Sequence, residues 1–193
     1  MLGSKSVLRN LGLLRRDAIG LELRDDFASR LTTLGVECVL DYAQTDELPI
    51  TALYAPIGSE PDTLPLAEAL HSASIPLCLP VDECSGSPLV YRSWVPGDRL
   101  TVGPLSIREP LDNAPLVEPD VLFIPFAAFD RRGYRIGYGV GNVDRTLRRL
   151  RARKDIRTIG VGYSVQEEPT LPIDAHDEAL DIIVTERDVH YCL

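Results

Sequence analysis

Apolar and polar positions along this chain follow two different periods, and the switches between them set the expected order of elements. Over residues 5–41 apolar positions recur at helical spacing, with Gly12, Gly20 and Gly35 weakening or breaking the run. Ile50–Tyr54 is a short apolar stretch ended by Pro56, which predicts a buried strand. Thr63–Ala73 predicts a helix, with Asp62 or Thr63 as its cap and Pro65 tolerated in the first turn. Ile75–Val81, Pro88–Trp94, Val121–Ile124, Thr158–Tyr163 and Asp181–Thr185 are short apolar or β-rich runs bounded by turn residues. Asn142–Lys154, where Leu147 and Leu150 recur among arginines, predicts a further helix. Strands alternating with helices make an α/β sandwich whose mostly parallel sheet is covered on both faces, a class that binds ligands in loops beyond the strand ends.

Composition narrows the picture. A chain of 193 residues with 45% apolar and 25% charged side chains is expected to form one domain over residues 1–193 around one sizeable core. Twenty Lys and Arg against twenty-nine Asp and Glu give a net charge of −9, which disfavours broad attraction to DNA, RNA or anionic lipid. No run approaches the ~18–20 apolar residues of a membrane span. MLGSKSVLRNLGLLRR has Ser and Arg and no acid before Asp17, so it bears comparison with a mitochondrial presequence. Cys38, Cys78, Cys84 and Cys192 show neither CxxC spacing nor a dense framework, which fits reduced thiols and a cytoplasmic protein.

The first helix has two faces. At about 100° per residue, Lys5, Arg9 and Arg16 fall within roughly 40° of one another, and Val7, Leu11, Leu14 and Ala18 lie opposite, as a packing face.

The stretch FDRRGYRIGYGVGNVDRTLRRLR, residues 129–151, gathers arginines around a glycine ladder. Gly133, Gly137, Gly139 and Gly141 precede the helix at Asn142, and such a loop presents unpaired N–H groups and a positive dipole end to phosphate. It is neither a Walker loop nor GxGxxG. Arg132, Arg135 and Arg145 strengthen the phosphate reading, because a guanidinium fork matches phosphate oxygens. Arg148, Arg149, Arg151 and Arg153 read as a solvated helix face.

AFDRRGYRIGYGVGNVDR, residues 128–145, resembles the AFD-x-x-G-x-R-x-G-x-G-x-G-Y-Y-D-R stretch of the 5-formyltetrahydrofolate cyclo-ligase family. Lys5 and Arg9, then Tyr54, Pro56 and Glu60, agree with it in order, as does the run Gln166, Leu171, Pro172, His176, Asp177, Asp181, Val184, Thr185 and Glu186. The resemblance implies a three-layer α/β/α fold related to phosphosugar isomerases and CoA transferases. It implies ATP- and Mg²⁺-dependent closure of 5-formyltetrahydrofolate to 5,10-methenyltetrahydrofolate, with ADP and phosphate released.

The resemblance places Lys5 and Arg9 on ATP phosphates; Arg16 on the same helix face and Arg132, Arg135, Gly137, Gly139, Gly141 and Arg145 of the glycine loop complete the expected ATP set, with Arg135 and Arg145 acting in catalysis. Tyr54, Glu60, Trp94, Asn142 and Val143 are set on the folate, and Asp144 and Asp177 on Mg²⁺. His176 is read as a structural neighbour, and Tyr91 as a pocket or core residue. The expected partners are small molecules, with no nucleic acid or membrane and the chain acting as a monomer. Asn142 and Val143 stand where the family has two tyrosines. That departure motivates one rival reading, a weakly active relative that holds ATP or folate as a sensor or buffer; a second rival is an ATP-dependent ligase or kinase that uses the same ATP site on another small anion.

Overall fold

The computed structural model describes residues 3–43, 47–84 and 86–192. Helices α1 (Lys5–Asp17) and α2 (Leu21–Tyr42) open the chain, followed by β1 (Thr51–Ala52), α3 (Leu64–Ser72), β2 (Leu77–Val81) and β3 (Val90–Ser93). A ribbon of β4 (Leu100–Val102) and β5 (Arg108–Pro110) comes next, then β6 (Leu116–Val117) and β7 (Val121–Pro125). A second ribbon, β8 (Ala128–Phe129) and β9 (Arg135–Ile136), leads into α4 (Asn142–Arg151), and β10 (Arg157–Val161), β11 (Ile182–Val184) and β12 (Val189–Tyr191) follow.

The main sheet runs β12-β11-β10-β7-β1-β2-β3-β6. Its five inner strands, β11 through β2, pair in parallel, and β12, β3 and β6 add antiparallel edges. Side chains of the inner strands alternate between two buried faces. Leu77, Leu79, Val121 and Phe123 join Phe27, Leu31, Leu66 and Leu70 of α2 and α3 on one side. Cys78, Leu122 and Ile124 join Leu147 and Leu150 of α4 on the other. The fold is therefore a three-layer α/β/α sandwich, as the alternation of runs predicts. β7 lies on the opposite side of β1 from β2, so the chain reverses its direction of travel across the sheet between β1 and β7. That reversal opens a crevice at the carboxyl ends of these strands.

The long amino-terminal run splits at Gly20, which stands as the N-cap of α2, whereas Gly12 and Gly35 lie inside helices. Gly35 is tolerated because Leu66 of α3 fills the space a side chain would need: a Cβ there would come within 2.7 Å of Leu66 Cδ2. The strands that the sequence leaves unpredicted are two or three residues long, too short for a period to register.

The packing face expected on α1 is overturned. Val7, Leu11 and Leu14 are 50%, 40% and 68% exposed, and Leu8, Gly12 and Arg16 are the buried positions. The helix turns its cations inward because carboxylates and carbonyls wait for them there. The arginines of α4 are also not simply solvated. Arg148 and Arg151 reach Glu178, Arg153 reaches Glu118, and Arg149 donates to the Leu89 carbonyl. Exposed pairs of this kind each contribute about 0–1 kcal/mol.

Candidate active site

A cavity of about 380 Å³ opens at the crevice between β1 and β7. Tyr54 and Ala55 beyond β1, Pro80 and Asp82 at the end of β2, and Pro125 at the end of β7 form its floor. Residues 135–144 form one wall, and Lys5 and Arg9 of α1 another. Gly139 and Gly141 adopt φ of +98° and +73°, values that a side chain disfavours, and Gly141 caps α4. Gly137 has open space where a side chain would stand.

The cations at this end are held by the backbone and by acids. Arg9 donates from Nε to the Gly137 carbonyl at 2.6 Å, and its guanidinium lies beside Gly139. Arg135, with a side chain 3% exposed, donates to the Glu178 carbonyl at 2.7 Å and to Asp144 Oδ1 at 3.1 Å. Burial lowers its pKa, against the pull of Asp144. Lys5 donates to Asp174 at 2.8 Å and to Asp177 at 2.5 Å. Burial works against the Lys5 charge, but the two carboxylates outweigh it and raise the pKa.

Asp144 sits in the first turn of α4, where a carboxylate favours the helix dipole. Its Oδ1 accepts from Arg135 and from the Glu178 N–H, and Asp177 Oδ2 accepts from Lys5 and from the Asp174 N–H. The other oxygen of each accepts no hydrogen bond among the described residues. Two half-used carboxylates on one cavity form a hard-oxygen set of the kind that shares Mg²⁺ with nucleotide phosphates. No group of three or more His, Cys, Asp or Glu able to hold a metal occurs among the described residues, so phosphate and water oxygens would have to complete such a site.

At the opposite end Glu60 is buried, with Oε2 accepting the Ile57 N–H at 2.9 Å and Oε1 accepting the Tyr138 hydroxyl. Burial raises its pKa, and the bonds from Tyr138 and Ile57 and the charge of Arg16 oppose that rise. Tyr54 donates to the Pro61 carbonyl at 3.0 Å and so braces the Glu60 loop from below.

Of the residues singled out in the sequence, Lys5, Arg9, Tyr54, Glu60, Arg135, Gly137, Gly139, Gly141, Asn142, Val143, Asp144 and Asp177 line this one cavity. The other four do not. Arg16 is buried against Ser59, Tyr138 and Glu60. Arg132 folds onto Asp130 and the Leu171 carbonyl. Arg145 bends back to the Val140 carbonyl. Trp94 packs in the core beneath α2 and α3, its indole Nε1 without a hydrogen-bond partner among the described residues. Tyr91 is core on the α4 side. His176 contacts Arg148, a structural neighbour as expected.

Tyr138, Asp174 and Glu109 also line the cavity, and the sequence reading passed over them. Tyr138 was legible as the residue between two loop glycines. Glu109 is buried and accepts the Asp82 N–H at 3.1 Å, a placement that depends on the β4–β5 ribbon folding over the cavity and leaves no mark in local sequence.

Fold and site together define a three-layer α/β protein with a glycine loop lining a cavity at the sheet's point of reversal. More narrowly, the chain belongs to the 5-formyltetrahydrofolate cyclo-ligase family, whose sequence profile it matches over residues 12–186. It is 31% identical over 180 residues to the 5-formyltetrahydrofolate cyclo-ligase of Escherichia coli K12, covering 91% of this chain and 96% of that protein. The Mycolicibacterium smegmatis 5-formyltetrahydrofolate cyclo-ligase is 31% identical over 142 residues, 69% of this chain and 72% of that one. The solution structure of Aquifex aeolicus 5,10-methenyltetrahydrofolate synthetase superposes with a TM-score of 0.72 at 30% identity, over 97% of this chain and 92% of the other. The Mycoplasma pneumoniae 5,10-methenyltetrahydrofolate synthetase shares the fold, with a TM-score of 0.75 at 23% identity over 95% and 99% of the two chains. No helix among the described residues is long and apolar enough to cross a membrane.

Proposed function

We propose that this protein closes 5-formyltetrahydrofolate to 5,10-methenyltetrahydrofolate at the expense of ATP, releasing ADP and phosphate. The observation that carries the reading is a single cavity with Arg9, Arg135 and the glycine loop on one wall and a buried, hydrogen-bonding carboxylate, Glu60, on another. Guanidinium groups and free loop N–H groups suit a triphosphate. A carboxylate suits the N–H edge of a pterin.

In this reading the formyl oxygen takes the terminal phosphoryl group, N10 attacks the activated carbon, and the oxygen departs as phosphate. An amide-like oxygen is a poor leaving group until it is phosphorylated, so the residues' work is to position the reactants and stabilise charge. Arg135, fixed by Asp144 and the Glu178 carbonyl, faces the transferring group. Lys5 and Arg9 neutralise the phosphates, and Tyr54 and Glu60 orient the pterin. Asp144 and Asp177 would hold Mg²⁺, which shields charge between phosphoryl groups.

Asn142 and Val143 favour a second reading in which ligands bind and turnover is low. Incubating the pure protein with 5-formyltetrahydrofolate and MgATP, omitting each in turn, separates the two. Appearance of methenyl product with matching ADP supports the enzyme. Tight binding of both ligands without product assigns a sensor or buffer, and ADP release only with another anion assigns a different ligase or kinase.

A further inference from the structure

We infer that Tyr138 is the positioning residue of the folate site: its hydroxyl fixes the Glu60 carboxylate in the orientation that receives the pterin. The inference rests on the folate reading of Glu60 above. The polarity of the contact is set by its neighbours. Arg16 Nη1 donates to the Tyr138 oxygen at 2.9 Å, and a guanidinium has nothing to accept with. The phenolic proton is left to point at Glu60 Oε1, where the contact is found. Arg16 itself lies 3.7 Å from that oxygen, too far for a direct hydrogen bond, so the tyrosine oxygen is the bridge between the two charges.

The bridge is anchored at its far end. Arg16 Nε donates to Ser59 Oγ at 2.9 Å, and Ser59 donates to Asp17 Oδ1, so α1, the Glu60 loop and the glycine loop are tied at one point. Arg16 and Glu60 have side chains 6% and 2% exposed, whereas Tyr138 is 39% exposed and lines the cavity, leaving its ring for a ligand to meet. It stands between Gly137 and Gly139, in the segment proposed to meet phosphate. One residue therefore joins the two halves of the cavity.

Three charged or titratable side chains face Glu60, beside the Ile57 N–H: Arg16 from α1, Tyr138 from the glycine loop, and Tyr54 from beneath. Removing only the Tyr138 hydroxyl should let the Glu60 pKa rise further, because that bond favours the ionised carboxylate.

The test uses Tyr138→Phe in the full chain, with an unchanged thermal melt as the check on folding. Calorimetry with 5-formyltetrahydrofolate alone should show affinity reduced about tenfold, the effect of losing one hydrogen bond to a charged group. Affinity for MgATP should stay within about twofold. Carbon-13 NMR of the Glu60 carboxyl, without ligand, should titrate at higher pH than in the parent. Undiminished folate affinity, an equal loss for both ligands, or an unmoved carboxyl titration each overturns the assignment. A parent protein that binds no folate sinks the folate reading instead, and the carboxyl titration still decides whether Tyr138 governs Glu60.

Discussion

Gly12 of α1 rests so close to Ala127 that a Cβ would lie 2.0 Å from the Ala127 carbonyl oxygen. The contact is backbone against backbone, so no flexible side chain can yield to relieve it. It seats the helix that carries Lys5, Arg9 and Arg16.

Gly12→Ala is accordingly expected to cost about 1–3 kcal/mol by overpacking and to lift α1 from the cavity. Urea unfolding should show the loss of stability, and nucleotide titration a much larger loss of binding. Leu14→Ser, on the exposed face of the same helix, should stay within about 0.5 kcal/mol of the parent.

Arg135→Ala should weaken ATP about ten- to hundredfold and the folate far less, because the buried cation proposed to face the phosphates disappears with the guanidinium. Equilibrium titration of each ligand reads this directly. Unchanged nucleotide affinity would remove Arg135 from the phosphate wall.

Positions 142 and 143 should answer differently to a restored tyrosine. Asn142 lines the cavity and spends its side chain on the neighbouring Val143 N–H, so Asn142→Tyr is expected to raise kcat/KM by up to about tenfold, the worth of one aromatic contact. Val143 packs partly into the cluster beneath α4, so Val143→Tyr should cost about 1–3 kcal/mol of stability. Steady-state kinetics and thermal melts separate the two.

Asp177→Asn should raise the Mg²⁺ concentration needed for half-maximal turnover at least about tenfold, with little change in saturating folate affinity. Varying Mg²⁺ at fixed ATP measures it.

Folate affinity should fall on acidification from a higher pH than an ordinary glutamate would give, since burial raises the Glu60 pKa and the pterin needs its ionised form. Stability runs the other way. The folded state holds this proton more tightly than the unfolded chain, so the Glu60 contribution improves as pH falls through the raised pKa and is fully expressed below the unfolded value. Calorimetry and denaturation across one pH series should show the opposed slopes.

The strands β1, β2, β7, β10 and β11 were legible because each is an apolar run between turn residues, and both faces of the sheet demand exactly such runs. Helical periodicity on α1 correctly grouped Lys5, Arg9 and Arg16 but not the direction they face, because a period says which residues share a side and nothing of what lies opposite. The glycine loop was legible as one wall of the cavity, yet Arg132 beside it is held by Asp130, fully buried and also bound to the Leu171 N–H. Such partners are chosen by tertiary packing. Glu60 and Tyr138 stand 78 positions apart, and only the folded chain brings them together.

Lys5 and Asp177 clasp each other across 172 positions. A ribosome that has released only the first two thirds of the chain therefore carries α1 with nothing for its leading lysine to hold, and β10 and β11 still missing from the sheet. The recess for ligand becomes whole only once Asp174 and Asp177 have emerged, so small molecules cannot serve as an early scaffold for folding.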